Sequence, residues 1–296
     1  MAASRALDSV SPATKEPHVI RNCDFSDRFS PEPCGEGLGY GEWFRLVHPG
    51  MEQTRSAGPR CVPGDLRSGG VLMSEPTITL YGSPLSLYTG KARSYLIKNG
   101  LAYREVTPAT SNFAKNVAPR AGRISMPTIE TAEGVVIRDG TEICEYFESR
   151  MGHTATPSGP RQRIVSALLD VIGLEGLLRP AMHYRWNFPE ENHNFLLFHF
   201  ASMMPAGRDP EKSMEQMRQA AIAFGVVPDS IDGVEARYEA LLSVLDRHFA
   251  DYPYLLGGRP CLGDFGLIAP MYGHLGRDPK SLSLLQAEAI HVFRWV

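Results

Sequence analysis

The chain has 296 residues, which at about 150 residues per domain implies two domains. Hydrophobic residues make up 43% and charged residues 21%, the balance of a globular protein that can bury a core without covalent staples. Thirty basic against thirty-three acidic residues, a net charge of -3, excludes a strongly basic nucleic-acid-binding chain. No apolar run approaches the roughly 18 residues of a membrane span, so neither nucleic acid nor a membrane is an expected partner. The five cysteines, Cys23, Cys34, Cys61, Cys144 and Cys261, are odd in number and form no CxxC pair. There is no HExxH among the histidines. A disulfide framework and a structural metal are therefore not expected, and a reducing cytoplasmic compartment is.

The first 72 residues differ from the rest: 16 are Gly or Pro, with Gly and Pro crowded into 31–41, and no apolar periodicity persists. Residues 1–74 read as a disordered extension, and Met73 is a candidate translation start. Order is expected to begin with a strand at 77–81, rich in β-branched and aromatic residues. A helix follows over 86–99, with Gly100 just past its end where a left-handed residue is wanted. Residues 102–106 read as a second strand. The stretch 108–123 is ambiguous. Residues 127–131 and 135–138 read as a hairpin closed by Ala132-Glu133-Gly134, and a helix starts at Asp139 or Gly140.

Residues 151–160 are rich in Gly, Pro, Ser and Thr and read as a linker. Beyond it the period is helical throughout, with helices expected near 161–178, 189–203, 210–224, 231–249 and 262–272. The last residues, 284–296, read as a helix that stops in mid-pattern, as in a truncated chain. The fold class is thus an α/β domain over 75–150 followed by an all-α domain over 161–296.

Three places in the α/β part can carry chemistry. Pro127 opens a strand rather than interrupting one. If the bond before it is cis, Met126 can offer its N–H and C=O to an extended peptide-like ligand; an ordinary trans strand start is the plainer alternative. The turn Gly82-Ser83-Pro84-Leu85-Ser86 leads straight into a helix N-terminus, whose free N–H groups and dipole favour an anion and lower the pKa of a bound thiol. Ser86, or alternatively Ser83 or Tyr88, can donate to that thiolate; Ser86 can equally be a plain N-cap. The turn has no Cys, which excludes thiol redox chemistry of its own. At Asp139-Gly140-Thr141 a strand ends at another helix N-terminus. This can hold a small carboxylate, while Asp139 accepts from an ammonium or simply caps the helix.

These elements, in this order and followed by a helical domain, resemble the glutathione S-transferase family. The resemblance rests on Ser83-Pro84-Leu85-Ser86, on Ser125-Met126-Pro127-Thr128-Ile129, on Asp139-Gly140-Thr141-Glu142-Ile143, and on Tyr254 through Phe265 with its Gly257-Gly258-Arg259-Pro260. It implies a thioredoxin-like domain that binds glutathione as co-substrate and a helical domain that binds a small hydrophobic electrophile. It further implies Ser86 as the group that stabilises the thiolate, Met126 and Pro127 at the cysteinyl backbone, and Asp139 and Gly140 at the γ-glutamyl group. Gly140 stands where the family carries Ser, and Cys261 stands where it carries a Ser/Thr helix cap, with Asp264 as that cap's partner. Tyr184, Trp186 and Phe188 are candidates for the second-substrate pocket, with core packing as the alternative. The expected activity is conjugation of glutathione in a homodimeric, cytoplasmic detoxification enzyme. The alternatives are a non-catalytic binding module, which Gly140 and Cys261 favour, and a glutathione-dependent isomerase or dehalogenase.

Overall fold

A computed structural model describes residues 77–205 and 207–296; the expected extension over 1–74 and the candidate start at Met73 lie outside them. Strand β1 (Ile78–Tyr81) runs into helix α1 (Leu87–Lys98), which returns the chain to β2 (Tyr103–Val106). A π-helical turn at Phe113–Val117 and a short α2 (Ala118–Ala121) fill the ambiguous stretch. Strands β3 (Thr128–Thr131) and β4 (Val136–Arg138) then form the hairpin, and α3 (Gly140–Met151) follows. The sheet order is β2-β1-β3-β4. β1 pairs in parallel with β2, placing Leu80 opposite Glu105, and antiparallel with β3, placing Leu80 opposite Ile129. A parallel pair needs a long crossover, and α1 supplies it.

One sheet face and two helices make the first core. Ile78, Leu80 and Ile129 from the strands meet Ala92, Tyr95 and Leu96 of α1 and Ile143 and Phe147 of α3. The spacings are those that put residues on one face of a strand or helix. This is an α/β thioredoxin-like layer, and the rest of the described chain is helical.

The helical part comprises α4 (Pro160–Val171), α5 (Leu178–Trp186), α6 (Pro189–Met203), α7 (Pro210–Ala223), α8 (Ile231–Asp251), α9 (Leu262–Pro270), α10 (Pro279–Glu288) and α11 (Ile290–Trp295). Its core gathers Leu177, Ala181 and Tyr184 with Tyr238, Leu242, Phe249, Met271 and Leu285. Two expected helices need correction. The one over 161–178 stops at Val171, continues as a π-helical turn over Ile172–Gly176, and restarts as α5. A Cβ on Gly173 would fall 2.4 Å from the Gly266 backbone, so packing on α9 decides the local backbone there. The helix expected over 284–296 begins earlier, with Asp278 and Pro279 at its start, and breaks at Ala289. Proline at the first helical position is a start signal that the apolar pattern alone does not show.

Two buried carboxylates hold loops in place. Asp264 accepts from the Cys261 N–H at 2.8 Å and the Leu255 N–H at 2.9 Å, which gives it the folding role expected of a cap partner. Glu148, 3% exposed, converts the supposed linker into a fixed loop. It accepts from Tyr95 Oη at 2.7 Å, Thr156 Oγ1 at 2.7 Å, Thr154 Oγ1 at 3.0 Å and the Ala155 N–H at 3.0 Å. Burial pushes the Glu148 carboxyl up, but these hydrogen bonds outweigh it and hold its pKa below the usual value. The stability it contributes is therefore present above the unfolded pKa of about 4.3 and lost as the pH falls through the lower folded value. Glu148→Ala is expected to cost about 3 kcal/mol in urea unfolding at pH 7, because it strands buried donors. The gap from wild type should narrow as the pH falls below about 4.

Candidate functional site

The bond Met126–Pro127 is cis. Met126 lies outside the strand ladder, and its N–H and C=O have no backbone partner among the described residues. The Asp139 N–H donates to the Pro127 carbonyl at 3.0 Å, so the proline strand and the start of α3 form one unit.

The turn 82–86 faces this unit across a cavity of about 290 Å³. Ser83, Ser86, Tyr88 and Met126 line it together with Leu85, Leu87, Met182, Trp186, Phe200, Met203 and Met217; Arg185 and His274 complete the wall. The three candidate hydroxyls differ in what they have left to give. Ser83 is buried: its hydroxyl donates to Met203 Sδ and accepts from the Leu85 N–H at 3.1 Å. Ser86 is the N-cap of α1, and its Oγ accepts from the Thr89 N–H at 3.2 Å. That bond uses a lone pair and leaves the hydroxyl proton without an acceptor among the described residues, so capping and donation are compatible. Tyr88 is 38% exposed; burial of its inner part, with the charges of Glu175 and Asp139, raises its pKa above the usual 10, and it stays a protonated donor. The first-turn N–H groups of Leu87 and Tyr88 also lack partners among the described residues, as a helix start requires.

Buried arginines hold two carbonyls of the turn. Arg93 donates to the Ser83 carbonyl at 3.1 Å while forking onto Glu105, and Arg185 donates to the Leu85 carbonyl at 2.9 Å. The turn is thus preorganised and does not depend on a ligand for its shape.

At the third place, Asp139 caps α3 by accepting from the Thr141 N–H at 2.8 Å. Its φ of 72° is one that L-residues rarely adopt. Asp139 is exposed and Gly140 buried. A Cβ on Gly140 would lie 3.2 Å from the Tyr88 carbonyl and 3.3 Å from the Lys91 side chain. Lys91 is 1% exposed, with its ammonium bound to Asp170 at 2.8 Å and Thr141 Oγ1 at 2.9 Å. Glycine at 140 thus packs closely over the buried lysine at the start of α3.

The structure separates the three aromatic candidates. Trp186 lines the cavity. Tyr184 and Phe188 do not: they stack on each other at 5.6 Å, with Tyr184 in the helical core against Tyr238. Two residues on, the helical turn has rotated by more than half a circle, which is why Trp186 and Tyr184 part company. Sequence reading missed Phe200, Met203 and Met217, which come from α6 and α7, and Arg185. An arginine inside an aromatic helical stretch was a signal, but nothing near it named its partner. Both described cysteines are unreactive in character: burial pushes the Cys144 thiol up to about 12 and raises that of Cys261 as well. Among the described residues no His, Cys, Asp and Glu side chains group as a metal site. Gly140→Ala is expected to lower stability by about 1 kcal/mol through overpacking, read by urea unfolding. An unchanged midpoint would show that α3 moves freely off Lys91.

Residues 80–156 match the family model described as the glutathione S-transferase N-terminal domain. Among solved structures, the chain is similar to a theta-class glutathione S-transferase from Xanthomonas axonopodis pv. citri with glutathione bound, at 20% identity over 75% of this chain and 91% of that one, TM-score 0.42. It is similar to the β-etherase LigF of Sphingobium sp. strain SYK-6 at 18% identity over 74% and 93%, TM-score 0.49. It is also similar to Gtt2 of Saccharomyces cerevisiae at 16% identity over 73% and 93%, TM-score 0.41. None of the curated proteins matches the sequence.

Proposed function

We propose, from the match of residues 80–156 to the glutathione S-transferase N-terminal domain, that this chain is a member of that family and joins the sulfur of glutathione to small hydrophobic electrophiles. The observation that carries this reading is the shared cavity: the Ser86 hydroxyl, the start of α1 and the unpaired backbone of Met126 line one space with an apolar wall. Ser86 donates to the sulfur, and the free N–H groups of Leu87 and Tyr88 favour its anion. Met126, presented by Pro127, pairs with the cysteinyl backbone. The N-terminus of α3, with Asp139 and Gly140, takes the γ-glutamyl group. Phe200, Met203, Met217 and Trp186 shield the electrophile from water.

Magnitudes decide where the rate comes from. Lowering a thiol pKa from about 8.5 to about 6.5 raises the thiolate fraction at pH 7 from about 3% to about 75%. The less basic sulfur is also a weaker nucleophile, by about tenfold over two pKa units. The net gain from ionisation is therefore a small factor, and alignment of the electrophile in the apolar cavity has to supply most of the acceleration. This accords with a site built mainly of methionine and aromatic side chains.

The close packing of Gly140 on Lys91 and Tyr88 offers a steric account of the glycine that is independent of catalysis. The serine hydroxyl it lacks is worth about 1 kcal/mol of binding. Helix α4 exposes Ile164, Val165, Leu168 and Val171, with Ile172 just beyond it. This is one stripe at helical spacing, and a second copy of the chain is its proposed cover.

Ultraviolet absorbance of bound glutathione titrated against pH tests the chemistry. Ser86→Ala is expected to lower the thiolate fraction at pH 7 severalfold, and through that loss of ionisation to weaken glutathione binding by no more than about threefold. An unchanged fraction removes Ser86 from the mechanism and leaves Tyr88 as the donor. Leu168→Glu is expected to convert a dimer to monomers in sedimentation velocity; a wild-type monomer would refute the dimer.

A further inference from the structure

We infer that Arg185 and Gly273, both in the helical part, are positioning residues for the thiolate site, fixing the backbone that enters α1 at Ser86. The inference rests on the reading of the Ser86 turn as the place of the glutathione sulfur.

Arg185 lines the cavity but has nothing free to offer a ligand. It is 4% exposed and Asp278 is fully buried. Its Nε donates to Asp278 Oδ2 at 2.6 Å, and Nη2 donates to Asp278 Oδ1 at 2.8 Å and to the Gly273 carbonyl at 2.9 Å. Nη1 donates to the Leu85 carbonyl at 2.9 Å and to His274 Nε2 at 2.7 Å. A guanidinium has five N–H groups, and these five bonds use them all. A guanidinium is always a donor, so Nε2 of His274 carries the lone pair, and its Nδ1–H donates to the Ala181 carbonyl at 3.2 Å. Burial and the Arg185 charge hold the His274 pKa well below the usual 6.5. The carbonyl that Arg185 holds belongs to the residue immediately before Ser86. Its role is therefore to hold that backbone.

Gly273 supplies an independent steric contact. It lies in the π-helical turn Met271–Leu275, and a Cβ there would sit 2.8 Å from Leu87 Cα, 3.0 Å from Leu87 N and 3.3 Å from the Ser86 carbonyl carbon. The helical part thus presses directly on the first residues of α1. A polar contact at Leu85 and a steric one at Ser86–Leu87 together set where the Ser86 hydroxyl and the first-turn N–H groups point. Displacements of about 1 Å can cost about 100-fold in rate.

The experiment uses the full chain and the variants Gly273→Ala, Arg185→Met and Arg185→Lys. Thermal unfolding is measured alongside the pH titration of bound-glutathione absorbance, with kcat and KM for an aromatic chloride. Gly273→Ala and Arg185→Met are expected to stay folded and to raise the pKa of the bound thiol by about one unit, a tenfold change in ionisation. The KM for the chloride should change little. Arg185→Lys keeps the charge but cannot span Leu85 and Asp278, and is expected to behave like Arg185→Met. Rescue by lysine would overturn the inference in favour of a charge effect. Folded variants titrating as wild type would overturn it in favour of a purely structural role. If Arg185→Met does not fold, Gly273→Ala decides by the same criterion. Absence of thiolate in the wild type would instead refute the functional reading itself, before any variant is compared.

Discussion

Helix α9 and the turn that follows it touch α1 along its length, and the site depends on how closely they approach. A Cβ on Gly90 of α1 would lie 3.1 Å from the Ala269 carbonyl, and one on Gly273 would meet Leu87 at 2.8 Å. On its other side α9 meets α4, where a Cβ on Gly266 would lie 2.2 Å from Asp170 Oδ1. Small residues at these points let backbones come within a distance that side chains forbid. Phe265 of α9 then reaches into the core of the sheet layer, edge-on to Tyr95 at 5.1 Å. The sheet layer and the helices are consequently a single packed structure, and the cavity forms where they meet.

That packing also explains the buried charges. Lys91 is paired with Asp170, Arg93 with Glu105 and Arg185 with Asp278. A buried ion pair stabilises little against an apolar isostere, because desolvation offsets the attraction. What it adds is direction. Lys91 reaches Thr141 at the start of α3, Arg93 reaches the Ser83 carbonyl, and Arg185 reaches the Leu85 carbonyl. The two arginines end on carbonyls of the turn that lines the cavity, and Lys91 ends on a side chain at the start of α3. Their common effect is to preorganise donors, which is what stabilising an anion requires.

The apolar part of the cavity lining has different physics. Methionines 126, 182, 203 and 217 with Phe200 and Trp186 present soft, adaptable surface. A rigid polar side that holds one constant group, together with a deformable apolar side, suits a reaction with one fixed partner and one variable partner. Four methionines there also leave the shape of the variable partner weakly specified.

The order of elements was legible in the sequence because it rests on local rules. A run of β-branched and aromatic residues marked β1, Ala132-Glu133-Gly134 marked the hairpin of β3 and β4, Gly100 marked the end of α1, and Pro127 marked a strand start. Ser86 and Asp139 marked helix caps, and each of these signals spans a few residues. The cis bond at Met126 and the cavity around Ser86 were open as alternatives, since a dipeptide or a cap is compatible with either outcome. The partners of Lys91, Arg93 and Arg185 were not legible at all. Lys91 and Asp170 lie 79 residues apart, and Arg185 and Asp278 lie 93 apart. Likewise, nothing in the stretch 182–188 said that Trp186 would face the cavity while Tyr184 and Phe188 faced the core. Local sequence determines where a chain turns and which face of an element is apolar. Which distant face it meets is a property of the packed whole, because burial energy depends on area removed from water and not on separation along the chain.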